Sequence, residues 1–119
     1  MKAKKGEYDY DFRHDILYFG AKKREYKNSI ELDNVVVDFD PKGNVYGVQI
    51  FEASKYLQID KDQLEKLQQW MFSAEIHEKR LTIRLVLQVK QKDKIIEKNP
   101  IIQQMISIPC ADSAIICEN

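Results

Sequence analysis

The sequence predicts an α+β fold, with an N-terminal antiparallel β meander, one main α-helix and a second antiparallel β set. Three observations carry that prediction. Leu81, Ile83, Leu85, Leu87 and Val89 alternate with Thr82, Arg84, Val86, Gln88 and Lys90, the period of a strand with one buried face. Asp40-Pro41-Lys42-Gly43 separates two β-prone runs with the residues that a tight hairpin turn requires. Between these regions, Ile59-Asp60-Lys61-Asp62-Gln63-Leu64 carries the marks of a helix start. A length of 119 residues, 44% apolar and 32% charged, suits one domain over residues 1–119 with its own core.

The meander begins with short strands over residues 7–11 and 15–20. They are joined by Asp11-Phe12-Arg13-His14, since aspartate starts turns by accepting hydrogen bonds from the backbone just downstream. Gly20 to Arg24 forms a basic loop, and further strands occupy residues 26–32 and 35–39. At Asp40-Pro41-Lys42-Gly43, proline presets φ and glycine takes the left-handed position. A hairpin closed there sets Val37 opposite Gly47 and Val36 opposite Val48. In that register Val35, Val37, Phe39 and Val45 line one face, and Val36, Val48 and Ile50 the other. A sheet with one wet face alternates more cleanly than this, so the second face is expected to be covered, by the rest of the chain or by another copy.

The pattern Tyr10-Asp11-x-x-x-Asp15-x-Leu17-Tyr18, then Glu31-Leu32-Asp33, then Val37-Asp38-x-Asp40-x-x-Gly43-x-Val45-x-Gly47, ending in Ala53-Ser54, resembles the small prokaryotic domain-of-unknown-function 2283 family over about residues 8–57. Gln49 stands where the resemblance implies Glu, so it implies no catalytic carboxylate at that position of this chain. The resemblance implies a short β-rich segment, no assigned activity, and a C-terminal extension over residues 58–119.

In the C-terminal half, Asp60 is a good N-cap and Gln63 stands three residues later, as a capping box requires. Leu64, Leu67 and Met71 recur at helical spacing with Trp70 beside them, which predicts a helix near 60–73. The strand over 81–90 turns at Lys92-Asp93-Lys94, and Asn99-Pro100 interrupts the strand that Ile95-Ile96 begins. Final strands are expected over 101–108 and 113–118.

Composition narrows the functional classes. Nineteen basic and nineteen acidic side chains cancel, whereas non-specific nucleic-acid binding calls for a basic surplus. The cluster Tyr18, Phe19, Lys22, Lys23, Arg24 and Tyr26 could stack and hold RNA, but tyrosine and phenylalanine at strand spacing are first of all core and cross-strand pairs. No apolar run reaches the length of a membrane span, and Met1-Lys2-Ala3-Lys4-Lys5 leads into no apolar signal core. The expected location is therefore the cytoplasm, with Cys110 and Cys117 as reduced, partly buried thiols.

The candidate chemistry is thin. Asp11, His14 and Asp15, with Asp9 beside them, are the best candidates for a metal or acid–base site, because Asp and His on a tight turn can hold a hard or borderline cation. Asp33, Asp38 and Asp40 could present carboxylates to a cation or a basic partner, but first of all provide solubility and discourage edge pairing. The competing reading, that Asp11 and Asp15 shape the turn, needs no metal. His77 has no ligand at metal spacing, and no cofactor is implied. Two functions follow. The first is a non-catalytic protein-interaction or oligomerisation module, expected to be a homodimer and conceivable as the neutralising partner of a toxin. The second is a metal-dependent hydrolase built on the turn of Asp11, His14 and Asp15 together with the acids near Asp38.

Overall fold

The computed structural model describes residues 2–22 and 25–119. It is mostly β, with 59% of residues in strands and 9% in helices. The elements in chain order are β1 (Lys4–Asp11), β2 (Ile16–Ala21), β3 (Asn28–Leu32), β4 (Val35–Phe39), β5 (Val45–Phe51), α1 (Ala53–Leu57), α2 (Lys61–Glu65), β6 (Gln69–His77), β7 (Arg80–Gln91), β8 (Lys94–Lys98), β9 (Ile101–Met105) and β10 (Ser113–Glu118). The strands form one sheet in the order β3-β4-β5-β2-β1-β10-β6-β7-β8, with β9 also paired to β7, curled into half a barrel. Neighbours are antiparallel except β1 and β10, whose parallel seam runs through Lys4↔Cys117 and Lys5↔Glu118.

The expected α+β class is therefore corrected to a mostly β fold, and the residues that overturn it are 66–77. The predicted helix near 60–73 ends after α2, five residues long. Its capping residues act as expected, with Asp60 N–H donating to Gln63 Oε1 at 3.3 Å. Beyond it, Trp70, Phe72, Ala74 and Ile76 are buried while Gln69, Met71, Glu75 and His77 are exposed, which is period two. β6 pairs along its whole length with β7, from Gln69↔Gln88 to His77↔Arg80, and with β10 on its other side. Two flanking strands outweigh the weak helical preference of a few residues.

The Asp40 turn forms as the sequence dictates. Asp40 Oδ1 accepts the N–H groups of Lys42 at 3.0 Å and Asn44 at 2.9 Å, and Gly43 adopts φ 82°. Phe39 lies opposite Val45, but a bulge between Asp38 and Phe39 then shifts the register, so that Val37 pairs with Val48 and Val35 with Ile50. A one-residue slip exchanges the faces of a strand. Val48 and Ile50 thus join Val35 and Val37 on the inner face, all four without solvent exposure. The expectation of an apolar second face is corrected by this bulge.

The inner faces of both halves share one core. The Phe19 and Phe72 rings stack with centroids 5.9 Å apart, and Trp70 meets Phe19 at 5.1 Å. Leu81, Ile83, Leu85, Leu87 and Val89 are all buried there, as their alternation predicts. Asn99-Pro100 does break the last hairpin strand, but Leu87↔Lys98 and Arg84↔Ile101 keep one register across the break. Leu85 N–H donates to the Pro100 carbonyl at 3.0 Å. β8 and β9 are thus one edge strand whose proline lacks an N–H to give. The strand expected over 101–108 stops at Met105.

Candidate functional site

Two tyrosines two residues apart on the inner face of β1 hold the two helices. Tyr8 Oη donates to the carbonyls of Leu64 and Glu65 at 3.1 and 2.8 Å and accepts Leu67 N–H at 3.3 Å. It thereby satisfies groups that a helix end leaves open. Tyr10 Oη donates to Asp15 Oδ1 at 2.6 Å. Asp15 also receives Ser54 N–H at 3.0 and 3.2 Å and Ser54 Oγ at 2.6 Å. Its own carbonyl takes Ala53 N–H at 3.0 Å. Glu52, the residue before α1, makes no side-chain cap bond; Asp15 caps that helix from the turn between β1 and β2. Burial pushes the Tyr10 hydroxyl well above its usual pKa, helped by the Asp15 carboxylate.

The three predicted candidates share one turn but do not converge on a point. Asp11 Oδ1 accepts His14 N–H at 3.0 Å, and Asp11 Oδ2 meets His14 Nδ1 at 2.8 Å. Those bonds, the backbone one foremost, hold the Asp11 carboxyl below its usual pKa. Both side chains are well exposed. Asp15 is directed the other way, into its bonds with Ser54 and Tyr10. Lys61 Nζ donates to the Phe12 carbonyl at 3.0 Å and sits 5.2 Å from the Phe12 ring centroid, tying the turn to α2. Among the described residues, no group of three or more His, Cys, Asp or Glu is gathered to hold a metal ion. His77 pairs on the surface with Asp112, Nδ1 to Oδ2 at 3.2 Å.

On the outer face of the N-terminal half, the Tyr18 ring lies over the cross-strand pair Gly20↔Gly47. Asp38, buried although it points outward, accepts Ser29 Oγ at 2.6 Å, with Gln49 Nε2 at 3.5 Å. Phe19 is fully buried and Tyr18 is committed to the glycines, so neither is a free stacking platform. Lys23 and Arg24, the centre of the basic loop, lie outside the described residues. Cys117 is buried and Cys110 half-buried, and neither is in a disulfide.

The sequence pattern of residues 10–54 is thus mostly a set of instructions for folding. Leu17, Val37, Val45 and Ala53 are core, and Asp33 takes the positive φ between β3 and β4. Tyr10, Asp15 and Ser54 fasten α1, Tyr18 covers Gly47, and Asp40 with Gly43 turns the hairpin. Glu31 points into solvent.

Phe12 and Tyr26 are exposed within this segment, but a line of exposed aliphatic residues lies elsewhere. Ile95, Ile101 and Met105, 59%, 56% and 63% exposed, lie along the β8–β9 edge strand. The sequence does signal this region: no charged residue occurs over 99–111 in a chain that is 32% charged. Periodicity alone passes over it, because the edge carries no motif.

The comparisons agree with this division of the chain. Residues 7–54 match the family described as "Protein of unknown function (DUF2283)". That segment is β1 to β5 with the start of α1. An uncharacterized protein of Methanocaldococcus jannaschii is 28% identical over 109 residues, covering 91% of this chain and 94% of its own. A Methanosarcina mazei protein named "Putative hypoxanthine phosphoribosyltransferase" is 25% identical over 92 residues, covering 77% of this chain and 75% of its own. No solved structure matches. Among the described residues no helix is long and apolar enough to cross a membrane.

Proposed function

We propose that the chain is a non-catalytic interaction module that works by self-association. The observation that carries this reading is the contrast between two regions. The buried polar residues of the 7–54 segment, Asp15, Asp38 and Asp40, are bonded into the fold, whereas the β8–β9 edge offers Ile95, Ile101 and Met105 to solvent. The two-faced hairpin gives no support, since the bulge turns Val48 and Ile50 inward and leaves only the half-buried Val36 on the other face. The uncharged β9 stretch of that edge supports the reading instead, because natural sheets protect their edges with charge or cover them.

The hydrolase reading has the exposed Asp11–His14 pair in its favour, but Asp15 is committed to Ser54 and Tyr10. Phosphoribosyl transfer calls for backbone N–H groups to cradle phosphates, and the first two N–H groups of α1 already donate to Asp15. A toxin-neutralising role draws on the acids Glu7, Asp9 and Glu31 of β1 and β3. Light scattering on a sizing column tests the proposal: a dimeric mass at tens of micromolar supports it, and a monomer at that concentration overturns it. A thermal shift with Mg²⁺, Mn²⁺ or Zn²⁺ that disappears in Asp11→Ala would favour the hydrolase instead.

A further inference from the structure

We infer that two copies of the chain join β9 to β9 across a two-fold axis at Gln103, extending the two sheets into one. The inference rests on the self-association proposed above and names its surface. The hydrogen bond from Leu85 N–H to the Pro100 carbonyl fixes the phase of the ladder. Hydrogen-bonded pairs alternate along an antiparallel ladder, so Ile102 opposite Ile83 and Gln104 opposite Leu81 are bonded to β7. Ile101, Gln103 and Met105, opposite Arg84, Thr82 and Arg80, turn their N–H and C=O groups toward the open edge. Each β9 therefore presents three donors and three acceptors at alternate residues, a template that fits another extended strand.

Self-pairing satisfies all of them. With the axis at Gln103, Gln103 exchanges both bonds with its copy, and Ile101 exchanges both with Met105 of the other copy. The same operation sets the exposed Ile101 and Met105 side chains against each other on the outer face, on either side of the Gln103 pair. No charge interferes, since β9 holds none, and Arg80 and Arg84 stand one strand back, flanking the apolar strip from both sides. β8, by contrast, carries Lys94, Glu97 and Lys98, and the opposite edge β3 carries Glu31. The uncharged, self-complementary stretch is β9 alone, and a two-fold pairing closes on itself rather than growing into a fibre.

Gln103→Pro tests the pairing cleanly. It removes an N–H that the chain itself does not bond, at an edge position where proline is tolerated. Light scattering should change from a dimer to a monomer while the circular dichroism spectrum stays that of the wild type. Should Gln103→Pro misfold, Ile101→Lys with Met105→Lys provides the second variant, with the same expected loss of the dimer. Amide exchange followed by NMR gives an independent reading. The Ile102 and Gln104 amides should be protected at any concentration, and those of Ile101, Gln103 and Met105 only as the dimer forms. A wild-type dimer that persists in the folded variants overturns this surface and leaves self-association standing. A wild-type monomer at tens of micromolar overturns both.

Discussion

Asp15 adopts φ 55°, a left-handed conformation that aspartate and asparagine tolerate better than most residues, while its carboxylate is held by Ser54 and Tyr10. Burial by itself would raise the Asp15 carboxyl, but the hydrogen bonds from Ser54 and Tyr10, with Lys61 nearby, hold it below the usual value. A depressed carboxyl stabilises the fold above its unfolded pKa of about 3.9, and that contribution is lost as pH falls through the folded value. Asp15→Asn keeps the backbone and should cost about 1–3 kcal/mol at pH 7. The gap to wild type should narrow as both are acidified, as urea melts at pH 7 and pH 3 would register; a gap independent of pH would contradict the assigned role. The sequence places Asp15 in a turn but cannot name Ser54, which lies 39 residues away. Likewise a glycine inside a strand, such as Gly47, marks a bulge or a close backbone approach without revealing the Tyr18 ring above it. A Cβ on Gly20 would run into Tyr18 Oη and lie 2.6 Å from Cζ. Gly20→Ala should cost about 1–3 kcal/mol through overpacking. Adding Tyr18→Ala should recover part of that in a double-mutant cycle, whereas strict additivity would count against the contact.

At the scale of elements, turns and period-two strands are readable wherever neighbours along the chain determine them. The Asp40 hairpin turn, β7 and the Asn99-Pro100 break belong to this group. What distant partners determine is not readable. Leu67 and, in β6, Met71 continue the α2 stripe in sequence, and only the pairing of β6 with β7 and β10 makes it a strand. The bulge after Asp38 is equally silent, yet it decides which face Val48 and Ile50 occupy. The helices depend on β1 rather than on their own length, since five residues are too few for an isolated helix to persist. Tyr8→Phe keeps the ring against Phe19 and Trp70 but removes the hydroxyl that closes the end of α2. It should lower stability by about 1–2 kcal/mol, with Leu67 amide exchange accelerated more than that of β7. Uniform acceleration across the sheet would show that the hydroxyl does not act on α2 in particular.

For the molecule as a whole, the segment that matches the family ends where its inner face still lacks a cover. Leu17, Phe19, Val35, Val37, Val48 and Ile50 all lie in residues 7–54 and are fully buried. The C-terminal half contributes to that burial, with Phe72 stacked on Phe19 and Trp70 beside it. Fully burying a side chain of this size stabilises by about 1.5–3 kcal/mol, so the six together amount to about 9–18 kcal/mol. A whole domain is stable by only about 5–15 kcal/mol. Losing even half of the cover, about 4.5–9 kcal/mol, is therefore comparable to the whole stability of a domain, and β1 would also lose its seam with β10. A fragment of residues 1–57 should accordingly show no cooperative urea transition and poorly dispersed amide resonances. The full chain should unfold in one step, with the fluorescence of Trp70, its single tryptophan, coinciding with far-ultraviolet circular dichroism. A fragment that melts cooperatively, or two separate transitions in the full chain, would mean that the meander and the residues after it are two folding units that share a sheet rather than a core.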